Sequence, residues 1–238
     1  MIRHACWLVL LAFVGSIIAI SCQHGEPGPK AKPATVTPTP KPTAAATKPV
    51  PAATKGAWTI AFKGDFAGTK LDDKWLILHG DATVKDGALI LNGGQAAGQI
   101  MLKQVFDGSS VRVAYAATIA KTEKVSDIST ILNSTSAGLS EGYFLQFDGK
   151  GGTVNQILKD NNDIQGTTNK KLLPLETGKK YAIVAENDKG HITLKVNGEI
   201  VLDYTDAKPL SGIKNGMVGL YVWGQEVKIE DFVISTKK

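Results

Sequence analysis

Gly142-Tyr143-Phe144-Leu145-Gln146-Phe147 places a phenyl ring and a carboxamide two residues apart. On a strand such residues share a face, so Phe144 and Gln146 point one way and Tyr143, Leu145 and Phe147 the other. A ring that covers C–H surface and an amide that both donates and accepts suit a sugar-binding groove. Arg112 is the only arginine outside the first 21 residues, and its planar fork fits a carboxylate or a pair of hydroxyls. Asn155 follows on the next strand, and Trp223 stands at a strand end before Gly224. The expectation is a concave groove lined by Phe144, Gln146, Arg112 and Asn155, with Trp223 at its rim. The competing reading makes both aromatics ordinary core and Arg112 half of a surface ion pair, because aromatic side chains are more often buried.

Other chemistry is thinly represented. Hydrolysis would require a carboxylate reaching the groove, and Glu141, Asp127 and Asp148 are the candidates. No residue is assigned a catalytic role on sequence alone. Asp160-Asn161-Asn162-Asp163 is rich in oxygen, but Ca²⁺ takes six to eight ligands, so Asp160 and Asp163 would need distant help; a plain Asn/Asp turn is the alternative. His79 and His191 have no metal or nucleophile-triad spacing, and no cofactor motif opens a helix. No cofactor or metal is expected.

These side chains must be positioned by strands. Ile192, Leu194 and Val196 alternate with His191, Thr193 and Lys195, and Asn197-Gly198 then supplies the residues a two-residue hairpin demands. Asp86-Gly87 repeats that signal between Ala82–Lys85 and Ala88–Leu91. Val111 to Ile119 alternates over a longer stretch, Asp127 to Asn133 forms a separate strand, and so do Met217 to Val222 and Val227 to Ile234. About a dozen short strands at this spacing imply an all-β, antiparallel two-sheet jelly-roll sandwich over residues 56–238. Single helical turns are expected near Leu71–Lys74 and Thr122–Val125.

The ordered series Trp75, Val84-Lys85-Asp86-Gly87-Ala88-Leu89, Gly142 to Phe147, Gly178-Lys179-Lys180-Tyr181, Val196-Asn197-Gly198-Glu199 and Gly219-Leu220-Tyr221 resembles the concanavalin A-like lectin/glucanase sandwich. Within it the chain is similar to the 3-keto-disaccharide hydrolase domain family and to laminin-G-like relatives. The resemblance implies carbohydrate as the ligand class and covers residues 57–236. Phe144 stands where the hydrolase family typically carries a groove-facing Glu, and a phenyl ring cannot move a proton. The glutamate-rich strand of family-16 glycosidases has no counterpart either. Three functions follow: a carbohydrate-binding sandwich, a hydrolase of a glycoside or 3-keto-disaccharide, and a non-catalytic adhesion module.

The N-terminal quarter belongs to no fold. Arg3 and the apolar run Trp7 to Ile20 form an export signal over residues 1–21. Its end, Ala19-Ile20-Ser21-Cys22, resembles a bacterial lipobox, which implies a lipid anchor on Cys22; an ordinary cleaved signal and an uncleaved anchor are the alternatives. Gln23 after the cysteine implies the outer membrane of the cell envelope. Residues 22–55 hold eight of the ten prolines and no apolar periodicity, the composition of a disordered tether reaching up to roughly 100 Å. Residues 1–55 carry six Lys/Arg and one acidic residue, which leaves 21 basic and 21 acidic residues in the remainder. The net charge of +5 therefore lies in the leader and tether, and nucleic acid is not expected as a partner. Cys22→Ser is expected to move the protein from the membrane to the soluble fraction on cell fractionation; an unchanged membrane fraction contradicts the anchor.

Overall fold

The computed structural model describes residues 56–107, 109–135, 141–164 and 175–237, and side chains 121–126 and 151 are excepted. The leader, Cys22 and the tether lie outside these residues. All described residues belong to the unit Val50–Lys238.

The strands are β1 (Thr59–Lys63), β2 (Trp75–His79), β3 (Asp81–Lys85), β4 (Ala88–Asn92), β5 (Ala97–Leu102) and β6 (Ser110–Ser134). They continue with β7 (Tyr143–Asp148), β8 (Val154–Lys159), β9 (Asn162–Asp163), β10 (Lys180–Asp188), β11 (His191–Val196), β12 (Glu199–Thr205) and β13 (Met217–Thr236). Every pairing between them is antiparallel. The turns behave as their residues dictate: Asp86-Gly87 and Asn197-Gly198 both hold positive φ at each position, as type I′ hairpins require.

Two strands are far longer than the sequence pattern suggests. β6 runs unbroken for 25 residues and β13 for 20, where shorter separate strands were expected. They pair with each other along most of their length, with register shifts near Gly219, Trp223, Glu226 and Glu230. Residues 110–119 of β6 pair with β10 and with the second half of β13, which in turn carries β1 and β4. Residues 127–134 of β6 pair with β7 and with the first half of β13, which carries β5. The pair thus begins in one sheet and ends in the other. Sheet one is completed by β3, β11 and β12; sheet two by β2, β8 and β9.

The inward residues of the two halves meet in one core. Val111, Val113, Tyr115, Ala117 and Ile119 face Ile128, Leu132, Tyr143, Leu145 and Phe147. The Tyr115 hydroxyl and Thr130 Oγ1 lie 2.9 Å apart, tying the first half of β6 to its own second half. Phe147 and Tyr181 meet edge to face at 5.8 Å and join the two sheets. At the opposite end Trp75 packs against Phe232 at 5.3 Å. Burial on this scale stabilises each large side chain by about 1.5–3 kcal/mol, which matters in a domain that contains no cysteine.

The expected helical turns fall elsewhere. Leu71–Lys74 is a non-helical turn, and Thr122–Val125 is extended backbone within β6. The glycine-rich segment Gly149–Gly152 is a single helical turn, α1, entered from Asp148 in the left-handed region. Its effect on the site is described below.

A second, smaller apolar cluster lies on the outer face of sheet two: Met101, Ile131 and Tyr221, with Phe144, Leu78, Ala97 and Met217 beside them. Gly219 sits in this layer, and a Cβ there would collide with the Met101 sulfur and stand 2.5 Å from the Ile100 carbonyl oxygen. Gly219→Ala is therefore expected to destabilise the domain by about 1–3 kcal/mol in urea unfolding; an unchanged midpoint would contradict the close approach.

Candidate functional site

The outer face of sheet two presents side chains in transverse rows fixed by strand register. One row runs Gln156, Gln146, Ser129, Tyr221, Gln99, from β8 through β7, β6 and β13 to β5. A neighbouring row is apolar: Leu158, Phe144, Ile131, Gly219, Met101. On the other side of the polar row stand Asp127, Trp223 and Ala97. Alternation sends Ile128, Leu220, Val222 and Leu145 to the main core, so these rows point outward.

A pocket of about 170 Å³ opens where the first two rows meet, lined by Phe144, Gln146, Gln156, Leu158, Asn161 and Tyr221. Phe144 and Tyr221 meet edge to face, with centroids 5.0 Å apart, and form one apolar wall. The amides form the other. Gln156 Nε2 donates to Gln146 Oε1 at 2.8 Å, and Gln146 Nε2 donates to Asp127 Oδ2 at 2.7 Å. Gly149 in α1 leaves room for this arrangement: a Cβ there would stand 2.7 Å from Gln146 Cγ. Asn161 reaches the pocket from the tight β8–β9 turn, where Asp160 and Asn161 both hold positive φ.

Asp127 stands beside the amide row on the same outward face and is buried, 5 % exposed. Gln225 Nε2 donates to its backbone carbonyl, and Ser129 Oγ makes a long contact of 3.4 Å with Oδ1. Burial pushes the Asp127 carboxyl up to about 7; the hydrogen bonds from Gln146 and Ser129 oppose this, and the charge of Asp148 adds to it. Burial likewise raises Asp148, against the hydrogen bond its Oδ2 accepts from Leu175 N–H. Tyr221 is raised by burial first and by Asp127 second, so its hydroxyl keeps its proton.

Of the side chains singled out from sequence, Phe144 and Gln146 come together in the pocket. Trp223 is on the same face one row away and 39 % exposed, an uncovered indole beside the site. Arg112 and Asn155 are not there. Arg112 lies on the outer face of sheet one, where Nε and Nη2 hold Glu186 Oε2 at 2.8 and 2.6 Å. Its guanidinium also stacks over Trp58 at 4.2 Å, which makes it a clamp for the N-terminal strand. Asn155 is fully buried, with its Oδ1 accepting from the Asp148 N–H at 2.9 Å. Its neighbour Gln156 takes the outward place, because α1 sets the entry phase of β8, and one residue of slip exchanges the two faces of a strand. Gln156, Leu158 and Asn161 were missed for that reason; counting the Gln146–Gln156 cross-strand pair outward from the hairpin was the signal that could have found them.

Asp160 and Asp163 serve separate contacts. Asp160 Oδ1 accepts from Gly142 N–H at 3.0 Å, and Asp163 stands 4.0 Å from Lys150 Nζ. Among the described residues no three His, Cys, Asp or Glu side chains converge on one point. Glu141 is half-buried just before β7, and it does not line the pocket.

Residues 56–235 match the sequence profile of the 3-keto-alpha-glucoside-1,2-lyase-like domain. The chain belongs to this family. Every pocket residue of this 3-keto-alpha-glucoside-1,2-lyase-like domain lies within the matched span. No curated protein matches the chain. Among solved structures it is similar to a protein of unknown function with a galectin-like fold from Bacillus subtilis, at 13% identity, with a TM-score of 0.61 over 78% of this chain and 99% of that one. It is also similar to the carbohydrate binding module CBM66 from Bacillus subtilis, at 14% identity and TM-score 0.53, covering 68% and 96%. A non-specific endo-beta-1,3(4)-glucanase of family GH16 matches at 10% identity and TM-score 0.58, covering 79% and 94%. At these identities the likeness is one of fold: the lectin/glucanase jelly roll.

Because folded Asp127 holds its proton to higher pH than the unfolded chain, its contribution to stability is full at acid pH and is lost as pH rises from about 4 to about 7. Ionising it in the fold costs on the order of 4 kcal/mol more than in the unfolded chain. Asp127→Asn is expected to remove about 3 kcal/mol of the stability loss seen between pH 5 and pH 8 in denaturant unfolding; an identical loss in both proteins contradicts a buried acid.

Proposed function

We propose that this family member binds carbohydrate in the sheet-two pocket and is held at the bacterial cell envelope through lipidated Cys22, with residues 22–55 as its tether. The observation that carries the binding reading is the meeting of two rows. An edge-to-face aromatic wall, Phe144 with Tyr221, stands across from a hydrogen-bonded amide pair, Gln146 with Gln156. A sugar ring has the matching surface, with apolar C–H faces and a girdle of hydroxyls. Among the described residues that line the pocket none is charged, which suits a neutral ligand. Trp223 extends the aromatic surface for a neighbouring ring. The carbohydrate-binding module and glucanase of similar fold support the ligand class, and the lipobox-like Ala19-Ile20-Ser21-Cys22 supports the anchor.

One observation favours a second reading, catalysis on a 3-keto-glucoside. Asp127 holds a proton near neutrality beside the pocket, as a general acid must, and the family is described as lyase-like. Binding is favoured because Phe144 and the amides, not carboxylates, face the pocket.

A glycan array probed with the full chain, extended to a 3-keto-α-glucoside whose breakdown would establish the catalytic reading, tests both. Phe144→Ala and Trp223→Ala should each weaken glycan binding by about threefold to tenfold. Arg112→Ala, on the other sheet, should leave it unchanged. Binding indifferent to both aromatic changes, or lost with Arg112→Ala in a folded protein, overturns the site.

A further inference from the structure

The amide row is a directed chain, and its direction has a cause. An ionised carboxylate accepts hydrogen bonds and donates none. Facing ionised Asp127, Gln146 must turn its Nε2 inward, as it does at 2.7 Å. Its Oε1 then faces Gln156, which must answer with its own Nε2, as it does at 2.8 Å. The carbonyl oxygen Gln156 Oε1 is left at the far end of the chain, beside the pocket. A protonated Asp127 has a hydroxyl to give. It can donate to Gln146 Oε1, and the same logic then turns both amides over, so that Gln156 ends the chain with its NH₂.

We propose that the charge on Asp127 sets the direction of this chain, and so decides whether Gln156 offers a pocket ligand an acceptor or a donor. The proposal rests on the carbohydrate reading of the pocket and adds Asp127 as a positioning residue for specificity: it lies outside the pocket lining and acts through Gln146. In the ionised form the favoured partner is a sugar hydroxyl that donates; in the protonated form a group that only accepts serves as well.

Three features make the coupling tight. Asp127 is buried, so its carboxyl cannot exchange these partners for water. Gln225 holds the Asp127 backbone carbonyl, and Gly149 packs against Gln146, so the chain has little freedom to detour. Its carboxyl titrates near neutrality, so both forms are within reach of ordinary pH. Among the described residues the titratable groups coupled to Asp127 are Asp148 at the end of β7 and Tyr221 on β13. Asp148 raises it, and Tyr221 stays neutral throughout.

The test uses the full chain and two readouts. The first needs no ligand: the side-chain amide resonances of Gln146 and Gln156 are followed by NMR from pH 5.5 to 8.5. Both should shift with one shared midpoint near 7, and Asp127→Asn should flatten both. The second compares methyl hexosides with their monodeoxyfluoro analogues, in which fluorine keeps an acceptor and loses the donor. One replacement should cost about tenfold in affinity at pH 8.5 and under about threefold at pH 5.5, and Asp127→Asn should erase this pH dependence. Shared titration with that pattern supports the proposal. A Gln156 resonance that ignores pH, or a fluorine cost equal at both pH values, overturns it and leaves the carbohydrate reading standing. Shared titration with no hexoside bound by the wild-type chain overturns the carbohydrate reading, and the specificity role with it.

Discussion

Side by side, β6 and β13 run through both sheets, and the sandwich hangs on their pairing. Described side chains from the first and second halves of each strand share one core. Tyr115 and Thr130, fifteen residues apart on β6, meet across that interior. The pairing also fixes what lies outside. Once Tyr221 is opposite Ser129 and Ser129 opposite Gln146, the outward rows of sheet two have no freedom left. The pocket is a consequence of that register.

The two outer faces have different chemistry. On sheet one the Arg112 guanidinium and the Lys237 ammonium both lie over the Trp58 ring, and Glu186 and Asp188 neutralise the cations. These groups satisfy one another and fasten the chain's first described residues to its last strand. On sheet two the described residues that line the pocket are uncharged, and a buried acid stands in the next row of the same face. Desolvating Asp127 is costly, and hydrogen bonds from the amide row repay only part of it. A group that costs stability in this way, next to an open pocket in a family described as lyase-like, is more easily explained by what it does for a ligand than by what it does for the fold.

Much of this was legible in the residues. The two-residue period assigned Phe144 and Gln146 to one face and Tyr143, Leu145 and Phe147 to the core, and the Asn-Gly and Asp-Gly hairpins fell where φ > 0 is required. Local pattern failed where the deciding partner was distant. Arg112 is claimed by Glu186, seventy-four residues away, through a β6–β10 register that no local spacing reveals. Asn155 and Gln156 differ by one step, and the helical turn Gly149–Gly152 sets which one faces out. Asp127 was visible as a carboxylate, but its burial against Gln146 and Gln225 depends on β6, β7 and β13 meeting.

Chemical-shift mapping of the full chain with its tightest-binding glycan tests the central claim most directly. The outer face of sheet two as the sugar site predicts that the largest changes fall on Gln146, Gln156, Tyr221 and the Trp223 indole. Changes centred instead on Trp58, Arg112 and Lys237 would contradict it.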